Sequence, residues 1–285
     1  MSLNNYFNKV IFAATALLFL LTIDTTANAN ESASVNSKQI VVSKTTKKID
    51  GHQYRILSSP NVKSTSVKLV GNSKGIKAIN AFLLKSYLSG IDDELSCVDT
   101  EKQGGTWELT FNDSVVTWNN NYVVIQTHSE GYCGGAHGFA GHDALTYNLT
   151  TGKVEVTGKW FNQSLIDEKH GYFNHISRED MDAVDDEGIP KTIPITVLGN
   201  LLRDRYFRQQ QKLVKTEEDK VLLDECVEAV EFGGNFWPTK KGFSFSTYLP
   251  YAYSQCGDDV ILPYLQAMPF LSKQGKQAIK AFATK

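Results

Sequence analysis

The chain has 285 residues, 41% hydrophobic and 21% charged, with a formal net charge of −2. That length buries a full core as one or two domains, and a near-neutral balance supplies no basic field for nucleic acid, so no such partner is expected. The 12 Tyr and 15 Phe suit β-rich structure, because aromatic side chains favour the half-buried surface of a sheet.

The amino terminus reads as an address. Val10 to Ile23 is apolar apart from Thr15 and Thr22, and Ala27-Asn28-Ala29 places small residues where a signal peptidase reads. At about 1.5 Å per residue the run falls short of a bilayer. Residues 1–29 are therefore expected to be a cleaved secretory signal, with the mature chain starting near Asn30. No cysteine marks a lipid anchor there, and no later segment reaches membrane-spanning length. The expected location is periplasmic or secreted.

Residues 30–50 are polar and predict a flexible leader, with Gln39 to Ser43 as an edge strand. His52–Leu57 and Ser66–Val70 alternate as strands around Pro60-Asn61. Asn72-Ser73 offers a helix start, and Ile76, Ile79, Leu83, Leu84, Tyr87 and Leu88 recur at helical spacing until Gly90. Thr106–Phe111, a turn at Asn112-Asp113 and Val115–Trp118 predict a hairpin, and Asn119-Asn120-Asn121 turns into the strand Tyr122–Gln126.

The next stretch, Thr127 to Asp143, holds five glycines, His128, His137, His142 and Cys133. It lies between two strand patterns and predicts an enlarged glycine loop in a β-meander, since glycines serve where the backbone needs positive φ or close approach. Ala144–Leu149 is the following strand, and Thr150–Lys153 turns it towards Val154–Val156.

Beyond Val156 the chain becomes polar. The acidic run Glu179–Glu187 fails as a calcium loop, because counting from Asp180 its sixth position is Asp185 rather than glycine. Pro194 opens a second helix carrying Leu198, Leu201, Leu202, Arg205 and Leu213. Val227–Phe232, Asn235–Trp237, Phe243–Leu249 and Asp258–Tyr264 predict strands, with Tyr251 and Tyr253 in a loop and Leu265–Phe270 as a terminal helix or turn. The expected fold class is α+β: antiparallel β-meander sheets packed with a few helices in two αβ subdomains, 51–120 and 121–275.

Four cysteines in an exported chain favour two disulfides. Metal ligation competes, but no pair has CxxC spacing. Three pairings are open; the preferred one joins Cys226 to Cys256 and Cys97 to Cys133, the latter tying a helix end to the glycine loop.

His128, His137, His142 and Asp143 are suitable types for zinc or acid/base work, yet their order is not HExxH, and Ser129 and Ser254 lack GxSxG surroundings. No catalytic residue and no cofactor are expected, and His128, His137 and His142 remain weak metal candidates. The plainer role of His137 is to hydrogen-bond the loop shut.

Tyr132-Cys133-Gly134-Gly135-Ala136-His137-Gly138 followed by Tyr147–Lys153 resembles the signature of the DUF3298 domain. Gly242–Phe245, Pro250-Tyr251 and Gly257–Tyr264 are similar to that family's closing strands, and Tyr54–Leu88 resembles the DUF4163-type domain that precedes it. Relatives in that family include the extracellular part of the anti-sigma factor RsiV, a lysozyme receptor, and the non-catalytic N-terminal part of a peptidoglycan deacetylase. This chain carries neither an anti-sigma segment nor a deacetylase domain, and its cysteines lie outside the family pattern. The resemblance implies a non-catalytic envelope protein that binds a lysozyme-like peptidoglycan hydrolase as inhibitor, immunity protein or sensor. Tyr132, Gly134, Gly135, Ala136, His137, Phe139, Tyr251 and Tyr253 are the expected binding residues, combining exposed backbone with aromatic anchors. The alternatives are a metal-dependent or acid/base hydrolase acting on peptidoglycan and a module that binds cell-wall glycan directly.

Overall fold

The computed structural model describes residues 40–101, 108–133, 138–162, 193–248, 256–257 and 259–283. The signal, most of the leader, the acidic run, and Gly134, Gly135, Ala136, His137, Tyr251 and Tyr253 lie outside the described residues.

Among the described residues, strands form two sheets. The larger is seven-stranded, in the order β1 (Val41–Val42), β3 (His52–Ser58), β4 (Thr65–Leu69), β5 (Glu108–Trp118), β6 (Tyr122–Tyr132) and β7 (Phe139–Asn148), with β2 (Lys47–Ile49) also paired to β3. The smaller has β8 (Glu231–Pro238), β9 (Phe243–Tyr248) and β10 (Val260–Leu262) in the order β10-β9-β8. Pairing is antiparallel except at the β4–β5 bridge, Thr65 against Asn112, which the helix α1 (Lys74–Glu101) connects as a crossover. The fold is α+β. One sheet runs through position 120, because β5 and β6 are the two arms of one hairpin around Asn119-Asn120-Asn121.

Helix α1 starts where expected: the Ser73 hydroxyl accepts the Ile76 N–H at 3.2 Å as an N-cap. It does not stop at Gly90. The missing side chain there lets the helix lie against Phe111, which a Cβ would approach to 3.3 Å, so the glycine is a packing device rather than a terminator. Near its start, a Cβ on Gly75 would overlap the Leu149 carbonyl, so the helix backbone rests directly on the turn after β7.

The expected turn at Asn112-Asp113 is also corrected, since β5 runs unbroken through both residues. Their polar side chains, which favour turns by bonding local backbone, are taken up across the sheet. Asn112 Oδ1 accepts from the Thr65 hydroxyl at 2.9 Å, and the Asp113 carboxylate accepts from Ser66 and, at 2.6 Å, from Thr127. Burial raises the Asp113 pKa against the pull of those two bonds.

Strand β6 separates two cores. Val123 and Ile125 face Ile79, Leu83 and Trp118 beneath α1, while Val124 faces the other way. That second core gathers Trp160, Phe161, Phe236, Phe243 and Phe245 with α2 (Ile193–Gln210) and α3 (Glu217–Ala229). α3 replaces the strand expected from Val227, and β8 begins only at Glu231. A capping box sets its start: Thr216 accepts the Asp219 N–H while the Asp219 carboxylate accepts the Thr216 N–H. The chain ends in the short helices α4 (Lys273–Ala278) and α5 (Lys280–Ala283). Disulfides join Cys97 to Cys133 and Cys226 to Cys256. No helix among the described residues is long and apolar enough to cross a membrane.

Candidate functional site

Most of the stretch read as a glycine loop is strand. β6 continues to Tyr132 and β7 begins at Phe139, so Thr127–Gly131 pair with Phe139–Asp143 as a ribbon that extends the sheet. Cross-strand register carries the segment: the alternation seen in Tyr122–Gln126 persists through polar residues once the partner strands are aligned. Gly131 is required by packing, because a Cβ would collide with the Glu108 carbonyl on β5. Gly141 meets nothing within 4 Å.

Strand alternation sorts the ribbon into two faces. His128, Glu130, Tyr132 and His142 share one face, and Phe139, Gly141 and Asp143 share the other. His128 and His142 stand directly opposite each other across β6 and β7. Each is paired to a carboxylate: His128 Nε2 lies 3.6 Å from Glu130, and His142 Nε2 lies 2.6 Å from Asp259 Oδ1. The hydrogen bond to Asp259 raises the His142 pKa, burial opposes it, and the charges of Asp259 and Asp143 add to the rise. His142 also meets the Trp237 ring edge-on at 5.7 Å. Asp143 accepts from the Asn235 side chain beside it. The ribbon is thereby latched to β8 and to the residue just before β10. Among the described residues no three His, Cys, Asp or Glu side chains gather to hold a metal ion.

The disulfide Cys97–Cys133 fixes the far end of the ribbon to α1. Phe139, the first residue of β7, is 51% exposed. β7 is the edge of its sheet. Of the expected binding residues, Tyr132 and Phe139 thus lie at the disulfide-anchored end of one ribbon, on opposite faces. Asp259, Asn235 and Trp237 were not foreseen as its supports. They lie 92 or more positions away in sequence from the side chains they hold, and no local pattern announces such contacts.

No family model matches the chain, and no curated protein matches it. A DUF3298 family protein from Bacteroides fragilis is structurally similar, with a TM-score of 0.47 and 16% identity over 86% of this chain and 96% of that one. A DUF3298 family protein from Pseudomonas aeruginosa is similar with a TM-score of 0.44 and 12% identity, over 73% of this chain and 84% of that one.

Proposed function

We propose that this chain is an exported binding protein of the cell envelope that docks a protein partner on the β6–β7 ribbon and performs no bond-breaking chemistry. The observation that carries the reading is Phe139: a large aromatic side chain, half exposed at the edge of a sheet whose ribbon is fastened by a disulfide at one end and a His–Asp pair along its length. A pre-ordered surface loses little entropy on docking, and a few aromatic anchors carry most of the energy of such interfaces. The His142 ring nitrogen that faces Asp259 serves to hold the ribbon in place. The partner class, a lysozyme-like peptidoglycan hydrolase, is what the resemblance of Tyr132–Gly138 to the DUF3298 signature implies.

The test is surface plasmon resonance against a panel of lysozyme-type enzymes, with Phe139→Ala and Tyr132→Ala beside the wild type. Binding is expected, and Phe139→Ala weakens it by at least about tenfold, equivalent to about 1.4 kcal/mol. Absence of wild-type binding across the panel removes the partner assignment. Undiminished binding by both variants removes the ribbon.

A further inference from the structure

At the opposite end of β6 from Tyr132, roughly 30 Å away at about 3.4 Å per strand residue, the Asn119-Asn120-Asn121 turn borders a cleft of about 620 Å³. That volume falls in the range of roughly 300–1,000 Å³ typical of small-molecule sites. Four separate parts of the chain meet around it: the β2–β3 turn with Asp50 and His52, the asparagine turn, Lys240 after β8, and α5 with Lys280 and Phe282.

The lining has a definite chemistry. Asp50 forms an ion pair with Lys240 and accepts from the Trp118 N–H at 3.0 Å and the Thr117 hydroxyl at 3.2 Å. Those bonds place the β2–β3 turn against the end of β5 and leave Lys240 neutralised. Lys280 is exposed and has no carboxylate within ion-pair distance among the described residues, so among those residues it is the cationic side chain the cleft offers to an anion. His52 lies flat on Trp118, ring centroids 4.8 Å apart and planes 9° from parallel, which holds the imidazole face-on to the cleft wall. Phe282, stacked on Tyr122, adds a second aromatic surface.

Asn119 fixes the shape of the turn that forms one wall of the cleft. Its Oδ1 accepts from the Asn121 N–H at 2.8 Å and the Tyr122 N–H at 2.9 Å, so the orientation of the carboxamide is settled by the turn. Its Nδ2 is shielded from solvent, so the turn meets the cleft through its exposed neighbours and not through this amide. Asn120 and Asn121 are exposed and offer both donors and acceptors, matching sugar hydroxyls, which are both in turn.

We propose that this cleft binds a small acidic sugar. Its anionic group meets Lys280, its hydroxyls meet the asparagine turn, and the apolar face of its ring rests on His52. The site is separate from the ribbon, so it stands whether or not that surface binds a protein.

The experiment is isothermal titration calorimetry of the purified full chain with glucuronate, glucose 6-phosphate and glucose. At least one acidic sugar is expected to bind with a Kd in the millimolar range, and glucose at least about tenfold more weakly. A carboxylate-specific or phosphate-specific result identifies the anionic group. Lys280→Gln, at an exposed position that leaves the core untouched, is expected to weaken the acidic sugar about three- to tenfold and to leave glucose unchanged. Phe139→Ala is expected to change nothing. The proposal is overturned if neither acid binds at about 10 mM, if glucose binds as well as the acids, or if Lys280→Gln binds like the wild type.

Discussion

His142 illustrates how one side chain takes its meaning from a residue 117 positions away. Its pKa is raised mainly by the hydrogen bond to Asp259. A histidine whose folded-state pKa exceeds its unfolded value stabilises the fold fully below the unfolded value, about 6.5, and loses that contribution as pH rises through the folded one. The difference in Tm between wild type and His142→Ala is therefore expected to be largest below about pH 6.5 and to shrink through neutrality. Thermal melts across that range measure it, and a pH-independent difference contradicts the latch. Glu94 makes a comparable case inside α1. Its carboxylate accepts from the Lys63 and Ser64 N–H groups at 2.7 and 3.1 Å and also from the Ser64 hydroxyl. Burial and the nearby Glu94 charge push the Tyr87 hydroxyl, which donates to the Ser64 carbonyl, up to about 12. Glu94→Ala strands several buried donors and is expected to cost about 3 kcal/mol or more in denaturant unfolding, with Glu94→Gln retaining part of the loss.

At the scale of elements, the ribbon depends on α1. Cys97–Cys133 closes a loop of 36 residues by sequence separation. Replacing both cysteines with serine is expected to destabilise the protein by about 2–4 kcal/mol. It should also raise amide exchange in Tyr132 and Phe139 more than in Val123–Ile125, which hydrogen exchange with mass spectrometry resolves. Uniform exchange would mean that the bridge does not hold the ribbon specifically. The seat of α1 is tested by Gly75→Ala. A Cβ there overlaps the Leu149 carbonyl, so the helix must shift and about 1–3 kcal/mol is lost, although alanine is the better helix former. A gain in stability would show that propensity outweighs contact. The start of α1 was legible because Ser73 caps a strongly periodic run. Its continuation past Gly90 was not, because a glycine that ends a helix and one that admits a neighbour look alike until Phe111 is in place.

Across the whole molecule, β6 joins the two cores, sending Val123 and Ile125 into one and Val124 into the other. Ile125→Ala is expected to cost about 2–5 kcal/mol. Because the strand is shared, it should lower a single transition followed alike by far-UV circular dichroism and by tryptophan fluorescence, with Trp118 reporting one core and Trp160 and Trp237 the other. Separate midpoints would show that the cores unfold independently. What the sequence by itself determined was local: the alternation of the strands, the Ser73 helix start, the asparagine turn, and a cysteine count that calls for disulfides. These follow from periodicity and backbone preference, which act over a few residues. The tertiary structure alone decided that Asn112 and Asp113 continue a strand, that the histidine stretch is a latched ribbon, and that Asp50, Asn119, Lys240 and Lys280 surround one cleft. Polar side chains have no period, and their roles are set by partners that the fold brings from far along the chain.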